Sequence, residues 1–245
     1  RQMCIRDRPW EISKSFGSSE LSDDIKKTNS KFGTLAYLVI HKDSIVHEDY
    51  YDHYSKNTLS NSFSMAKTIL SIITGAAVKE GKVDVNASVH SYIPEFITAK
   101  DSALKVKHLL TMTSGMNFRE SYGNPFGFMA KAYYGTDLRG LTSGYGIEKT
   151  PGSEHSYLGG NNLLLSFLLE KATGQKVSDY GSEKIWSKLG MENDGKWILD
   201  HEDGDEKTFS GVYATARDYA KLGELHINKG NAYGCLLYTS PSPRD

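Results

Sequence analysis

Residues 61–81 read NSFSMAKTILSIITGAAVKEG, and between Met65 and Val78 nearly every position is small or apolar. Such a run predicts a helix over about Met65–Glu80, stopped by Gly81 in a left-handed conformation and lying inside the protein, because no face of it is polar. One cation, Lys67, interrupts the run three positions after Ser64. Positions i and i+3 share a helix face, so the spacing turns serine and lysine to one side, with Ser71 a turn further along. Burial and the positive end of the helix dipole both oppose the charged form of an amine placed there. Uncharged and within reach of a hydroxyl, it is a base that takes the proton as the oxygen attacks a carbonyl. The Ser64 N–H, at the helix start, is placed to stabilise the resulting oxyanion. The competing reading is a lysine that snorkels to solvent from a helix end. A second S-x-x-K, Ser102–Lys105 in KDSALKVKH, puts its lysine among other charges, where solvation accounts for it.

The 245 residues are 24% charged and 38% hydrophobic, enough for one large domain or two lobes sharing a core. A net charge of -1 without a Lys/Arg run gives no footprint for nucleic acid or an anionic membrane. The longest apolar stretch, ILSIITGAAV, is too short to span a bilayer, so no membrane segment is expected. Both ends, RQMCIRDR and CLLYTSPSPRD, back-translate into transposon-type sequencing adapter. Residues 1–8 and 235–245 are therefore expected to be scars, and residues 9–234 a single domain truncated at its C-terminus. Both cysteines, Cys4 and Cys235, fall in the scars, leaving the rest with neither disulfide nor thiol chemistry. His47, Asp49 and His53 share one face of a strand, but alternation on a solvated face explains them. There is no H-E-x-x-H, no paired-cysteine motif and no G-x-S-x-G elbow.

TLAYLVIH (34–41) and IVHEDYYD (45–52), split by KDS, predict a hairpin. A short helix follows in HLLTMTSGMNF, ending in a turn at Ser114–Gly115; residues 119–149 read as loops with one short helix near PFGFMAKAYY. NNLLLSFLLEKAT predicts a helix capped by Gly174, and Val177–Lys188 another. Thr215 and Asp218 form a capping box that opens a last helix, closed at Gly230. A lone hairpin is marginal in water, so further strands are expected from a C-terminal part beyond Gly234.

The stretch SFSMAKTILSIITGAAVKEGKVDVNASVHSYIPEF, followed by VKHLLTMTSGM, resembles the serine β-lactamase and penicillin-binding-like hydrolases, especially the class C and family VIII esterase branch. PGSEHSYLGGNNLLLSFLLEKATGQ resembles that family's segment with a catalytic tyrosine before a helix. GKWILDHEDGDEKTFSGVYATARDYAKLGELHINKG is similar to the nylon-oligomer hydrolases. The resemblance runs from about Thr34 to Gly230.

It implies an α/β (α+β) fold: a helical lobe on residues 65 to about 200, an antiparallel sheet lobe containing residues 34–52, and a cleft between them. It implies Ser64 as nucleophile, Lys67 as proton acceptor and Tyr157 as the relay to the leaving group. The substrate would be a small-molecule amide or ester, cleaved by a carboxylesterase or amidase rather than a true β-lactamase, without cofactor or metal. A penicillin-binding-like module that senses peptidoglycan without turnover is the alternative. Family resemblance favours a periplasmic or secreted location. Three departures stand out. The frequent Tyr-x-Asn is here Tyr157-Leu158-Gly159, and no Lys-Thr-Gly strand precedes Gly234; the third motif is expected in the C-terminal part. The histidine of the family's LLTHTSG is Met112, read as packing.

Overall fold

The computed structural model describes residues 8–18, 20–97 and 103–238. Ser102, the serine of the second S-x-x-K, lies outside the described residues.

The chain opens with a short strand, β1 (Glu11–Ile12), and helix α1 (Asp23–Phe32). Ser22 caps α1, its side chain accepting from the Ile25 N–H, and Gly33 closes it at φ 58°. The hairpin follows as β2 (Ala36–His41) and β3 (Ser44–Tyr50), antiparallel as its alternation demands. Its turn is two residues, not three: Lys42 and Asp43 both take positive φ, 50° and 61°, and Ser44 already pairs with His41. Positive φ at both central residues matches the twist of the flanking strands. β1 adds to β3 in parallel, giving the order β1-β3-β2. A third strand of this sheet thus precedes the hairpin in the chain.

A second small sheet decides the geometry of the site. It joins β4 (Ser60–Asn61), β5 (Lys196–Trp197) and β6 (Val212–Ala214) in the order β4-β6-β5. The polar run before Ser64 is thereby tied to a segment some 150 positions later, with Ser60 opposite Ala214 and Asn61 opposite Tyr213. Strands of two or three residues carry no legible alternation, which is why the sequence pattern does not reveal them.

Helix α2 (Met65–Lys79) follows directly and is buried on nearly every side, from Ala66 to Ala77. It ends as its sequence predicts: Gly81 sits at φ 72° and the N–H groups of Glu80, Gly81 and Lys82 return to the last carbonyls. Against it packs α6 (Gly159–Thr173), equally sealed over residues 159–169 and stopped by Gly174 at φ 72°. A single-turn helix at Val89–Ser91 and the short helix α3 (Val106–Leu110) complete that side.

Between residues 119 and 149 there are two helices rather than one, α4 (Phe128–Tyr134) and α5 (Leu138–Ser143). The second is six residues long, too short to show a period; its signal is Asp137, whose carboxylate caps the Gly140 N–H at 2.8 Å. Phe118, Phe128 and Tyr145 meet there with ring centroids 4.7–5.3 Å apart, an arrangement that adds to their burial.

The helix expected over Val177–Lys188 is α-helical only as α7 (Val177–Gly181), then widens to a π-helical turn at Ser182–Trp186. The last helix, α8 (Ala216–Ile227), begins at the expected box: Thr215 accepts from the Asp218 N–H. Half-buried Arg217 on α8 forks onto Glu48 of β3, its Nε and Nη2 donating at 2.7 and 2.6 Å, and so binds the helix to the first sheet. β7 (Asn231–Ala232) and β8 (Cys235–Leu236) form a closing ribbon. The expected combination of helices with small, largely antiparallel sheets is what the chain forms.

Candidate active site

Serine at a helix start ordinarily turns its hydroxyl back onto the N–H groups of the first turn. Ser64 does not: it is the N-cap of α2, at φ -64° and ψ -12°, yet its side chain makes no capping bond. The first-turn donors are satisfied by main chain instead, Met65 N–H to Ser62 O at 3.0 Å and Ala66 N–H to Phe63 O at 3.1 Å. Ser64 Oγ is left exposed and faces Lys67, whose Nζ donates to it at 3.3 Å. The two side chains thus lie on one helix face, as their spacing predicts.

Lys67 does not snorkel. Its residue is 9% exposed, and Nζ donates to the Phe209 carbonyl at 2.7 Å while lying 4.8 Å from the centroid of the Tyr157 ring. An amine so held is oriented by three neighbours, one of them the candidate nucleophile. Ser71, on the same helix, is half-buried and forms no hydrogen bond to Lys67.

Tyr157 stands in the loop before α6 and is 44% exposed. Its placement comes from both neighbours: the Ser156 N–H donates to Met112 O at 2.8 Å, and Leu158 is the N-cap of α6. Met112 also packs its sulfur on Asn161, where it receives an Nδ2 hydrogen bond at 3.4 Å. The structure therefore brings Ser64, Lys67 and Tyr157 together, with Tyr157 meeting the amine by its ring face.

Several contributors lie beyond what residue type could announce. Phe209 acts through a backbone carbonyl, which no sequence motif marks, and is fixed by Tyr133, edge-on at 5.0 Å. Glu120 accepts from the Gly159 N–H at 2.6 Å and from the Tyr122 hydroxyl at 2.7 Å. Burial and that bond to Glu120 push the Tyr122 phenol well above its ordinary value. The family's frequent Tyr-x-Asn is replaced by Tyr157-Leu158-Gly159, and a side chain at Gly159 would be tightly placed. A Cβ on Gly159 would lie 3.2 Å from Phe209 Cβ, 3.3 Å from Glu120 Oε2 and 3.4 Å from Met129 Sδ. Lys207 is a second buried amine, lowered by desolvation, but it donates to Tyr133 O and meets no hydroxyl.

A cleft of about 240 Å³ runs beside Tyr157, lined by Glu120, Glu148, Ser156 and Gly115 among others. Of the three candidate site residues only Tyr157 lines this cleft, and none lines the larger hollows of about 410 and 500 Å³ elsewhere, so side-chain chemistry and not cavity size selects the site. Among the described residues no three His, Cys, Asp or Glu side chains are grouped to hold a metal, and no helix is long and apolar enough to cross a membrane. His47 and Asp49 pair with each other at 2.8 Å on β3.

A buried helix that presents an uncapped serine beside a sealed lysine, under a helical layer that supplies a tyrosine, is the arrangement of the serine β-lactamase and penicillin-binding fold. The profile of the beta-lactamase family matches residues 22–234, and the chain belongs to that family. The 6-aminohexanoate-dimer hydrolase of Paenarthrobacter ureafaciens is 25% identical over 229 residues, covering 86% of this chain and 56% of that protein. The teichoic acid D-alanine hydrolase of Staphylococcus aureus is 26% identical over 192 residues, covering 73% of this chain and 44% of its own length. A solved Bacillus anthracis structure, provisionally named a 6-aminohexanoate-dimer hydrolase, superposes with a TM-score of 0.81 at 23% identity, over 97% of this chain and 66% of its own. The chain spans about half the length of these curated relatives.

Proposed function

We propose that the protein is a serine hydrolase that cleaves an amide or ester bond through an acyl-enzyme on Ser64. The observation that carries this reading is the pair itself: an exposed, uncapped Oγ 3.3 Å from an amine that is almost wholly buried. With Lys67 uncharged, the same contact runs in the opposite sense and Oγ–H donates to Nζ. As Oγ attacks the carbonyl carbon, the proton passes to Lys67 and the carbonyl oxygen becomes an oxyanion. Among the described residues the Ser64 N–H meets no acceptor, so it is available to that oxyanion. Collapse expels the amine or alcohol, which takes the proton by way of Tyr157. Water then attacks the ester on Ser64, gives up its proton along the same route, and releases acid and free serine. No redox step or cofactor enters this balance.

A carboxylesterase or amidase is favoured over a true β-lactamase because Gly159 leaves no side-chain amide beside Tyr157, and its surroundings would have to yield by a few tenths of an ångström to admit one. A fluorophosphonate probe tests the reading in the complete protein. Ser64 should be labelled, Ser64→Ala should not, and p-nitrophenyl esters should turn over faster than nitrocefin. Failure of Ser64 to react while a control hydrolase does would end the proposal. Labelling without any turnover would identify a binding module instead.

A further inference from the structure

Phe63, immediately before the candidate nucleophile, adopts φ 44°. Left-handed backbone is rare outside glycine and asparagine and strained for a bulky aromatic residue. The Phe63 side chain is 64% exposed, so packing does not hold it there.

The hydrogen bonds show what does. The residue before the bend is pinned, Ser62 N–H donating to Val212 O at 2.7 Å. The residue after it is pinned too, through Met65 N–H to Ser62 O. At the bend itself the Phe63 N–H donates to Asn61 Oδ1 at 2.9 Å, an asparagine side chain closing a turn two residues on. Asn61 is carried by the β4–β6 ladder opposite Tyr213, and the Tyr219 hydroxyl lies 2.8 Å from Ser60 O and 2.9 Å from Val212 O. Burial pushes the Tyr219 phenol to about 12, so it remains a donor throughout the neutral range.

We propose that Asn61 is a positioning residue for the nucleophile: its side-chain oxygen holds Phe63 in the left-handed bend that sets the exposed Ser64 Oγ beside Lys67 and leaves the Ser64 N–H outward. The inference rests on the reading of Ser64 as nucleophile. Asn61 makes its side-chain hydrogen bond to the Phe63 N–H and not to Ser64, and acts through the peptide that carries the Ser64 N–H. Misplacement by about an ångström of a reacting group, or loss of one oxyanion donor, costs on the order of 100-fold in rate. Asn61→Ala should therefore slow kcat for a p-nitrophenyl ester by at least about tenfold with KM little changed. Asn61→Asp, which keeps an acceptor oxygen, should retain most of the rate.

The decisive measurement is a double-mutant cycle in the complete protein. Glycine takes φ near +44° without strain and needs no clamp. The penalty for Asn61→Ala should therefore shrink at least about fivefold when position 63 is Phe63→Gly. Fluorophosphonate labelling of Ser64 and ester turnover are read for wild type, both singles and the double, each with a thermal melt. An Asn61→Ala penalty that is absent, or that persists unchanged in the Phe63→Gly background, overturns the inference. A wild type that neither labels nor turns over overturns the hydrolase reading itself, which is a separate result.

Discussion

Lys67, on the helix that carries the candidate nucleophile, is held at 2.7 Å by the backbone carbonyl of Phe209, 142 residues further along the chain. The carbonyl fixes one of the three directions in which the amine can point, and the Ser64 hydroxyl occupies another. An amine held in this way already faces the Ser64 hydroxyl without rearrangement.

Replacement of Lys67 separates chemistry from packing. Lys67→Met keeps the volume but removes the proton acceptor, and acylation of Ser64 should fall by about 10²–10⁴-fold. The Phe209 carbonyl loses its donor, which should lower stability by about 1–3 kcal/mol in a urea melt. Lys67→Arg should be comparably inactive, because a guanidinium does not give up its proton at neutral pH. Arginine within tenfold of wild type would show that the residue is not the base.

Ser64→Ala should abolish acylation while leaving the melting temperature close to that of wild type. Truncating a serine that caps its helix costs about 0.5–2 kcal/mol. Ser64 makes no capping bond, so the loss should lie below that range. Destabilisation of a full cap, seen by calorimetry, would show that the hydroxyl spends its time on the helix rather than on Lys67.

Gly159→Asn restores the residue type frequent in the family's Tyr-x-Asn. Its Cβ must push aside Phe209 or Met129, 3.2 and 3.4 Å away, and overpacking of this kind typically costs about 1–3 kcal/mol. Because Phe209 orients Lys67, esterase activity should fall together with stability. Gain of nitrocefin turnover without loss of stability would contradict the packing argument.

Glu48 sets an acid limit. Burial alone would raise its pKa, but hydrogen bonds from Arg217 and Tyr50 and the charge of Arg217 outweigh it and hold the carboxyl below its ordinary 4.5. The folded state then binds this proton less tightly than the unfolded chain. The stabilisation is present above pH 4.5 and is lost as pH falls through the lower folded value. Arg217→Met should cost about 1–3 kcal/mol at neutral pH by leaving a part-buried carboxylate without its charged partner. It should also flatten the acid slope in melts taken from pH 6 to 3.

Glu224 works in the opposite sense. Burial, and next a hydrogen bond shared with Asp43, raise its pKa to about 7. The folded state holds this proton more tightly, so stability declines as pH rises from 4.5 to about 7. Glu224→Gln should leave the melting temperature nearly unchanged at pH 4.5 and raise it at pH 8. Equal effects at both values would show that Glu224 is solvated.

The hairpin, the buried helix and the Ser64–Lys67 pair were legible because each rests on a periodicity or spacing that a run of side chains writes directly. Helix α5 was hidden by its length, with only Asp137 to mark it, and β4, β5 and β6 are shorter than one readable alternation. Phe209 and the Asn61–Phe63 bend escaped for another reason. One contributes a carbonyl that any residue possesses, and the other places an aromatic residue where glycine would be expected. Tyr157 was selected by resemblance, not by pattern, and the structure sets its ring beside the amine.

The span between Lys67 and Phe209 also bears on when the protein becomes reactive. A nascent or partly melted chain can wind the helix of residues 65–79 and still lack the carbonyl that steers its amine. The proposed labelling of Ser64 should therefore report closure of the tertiary structure, vanishing at lower denaturant than the helical circular-dichroism signal.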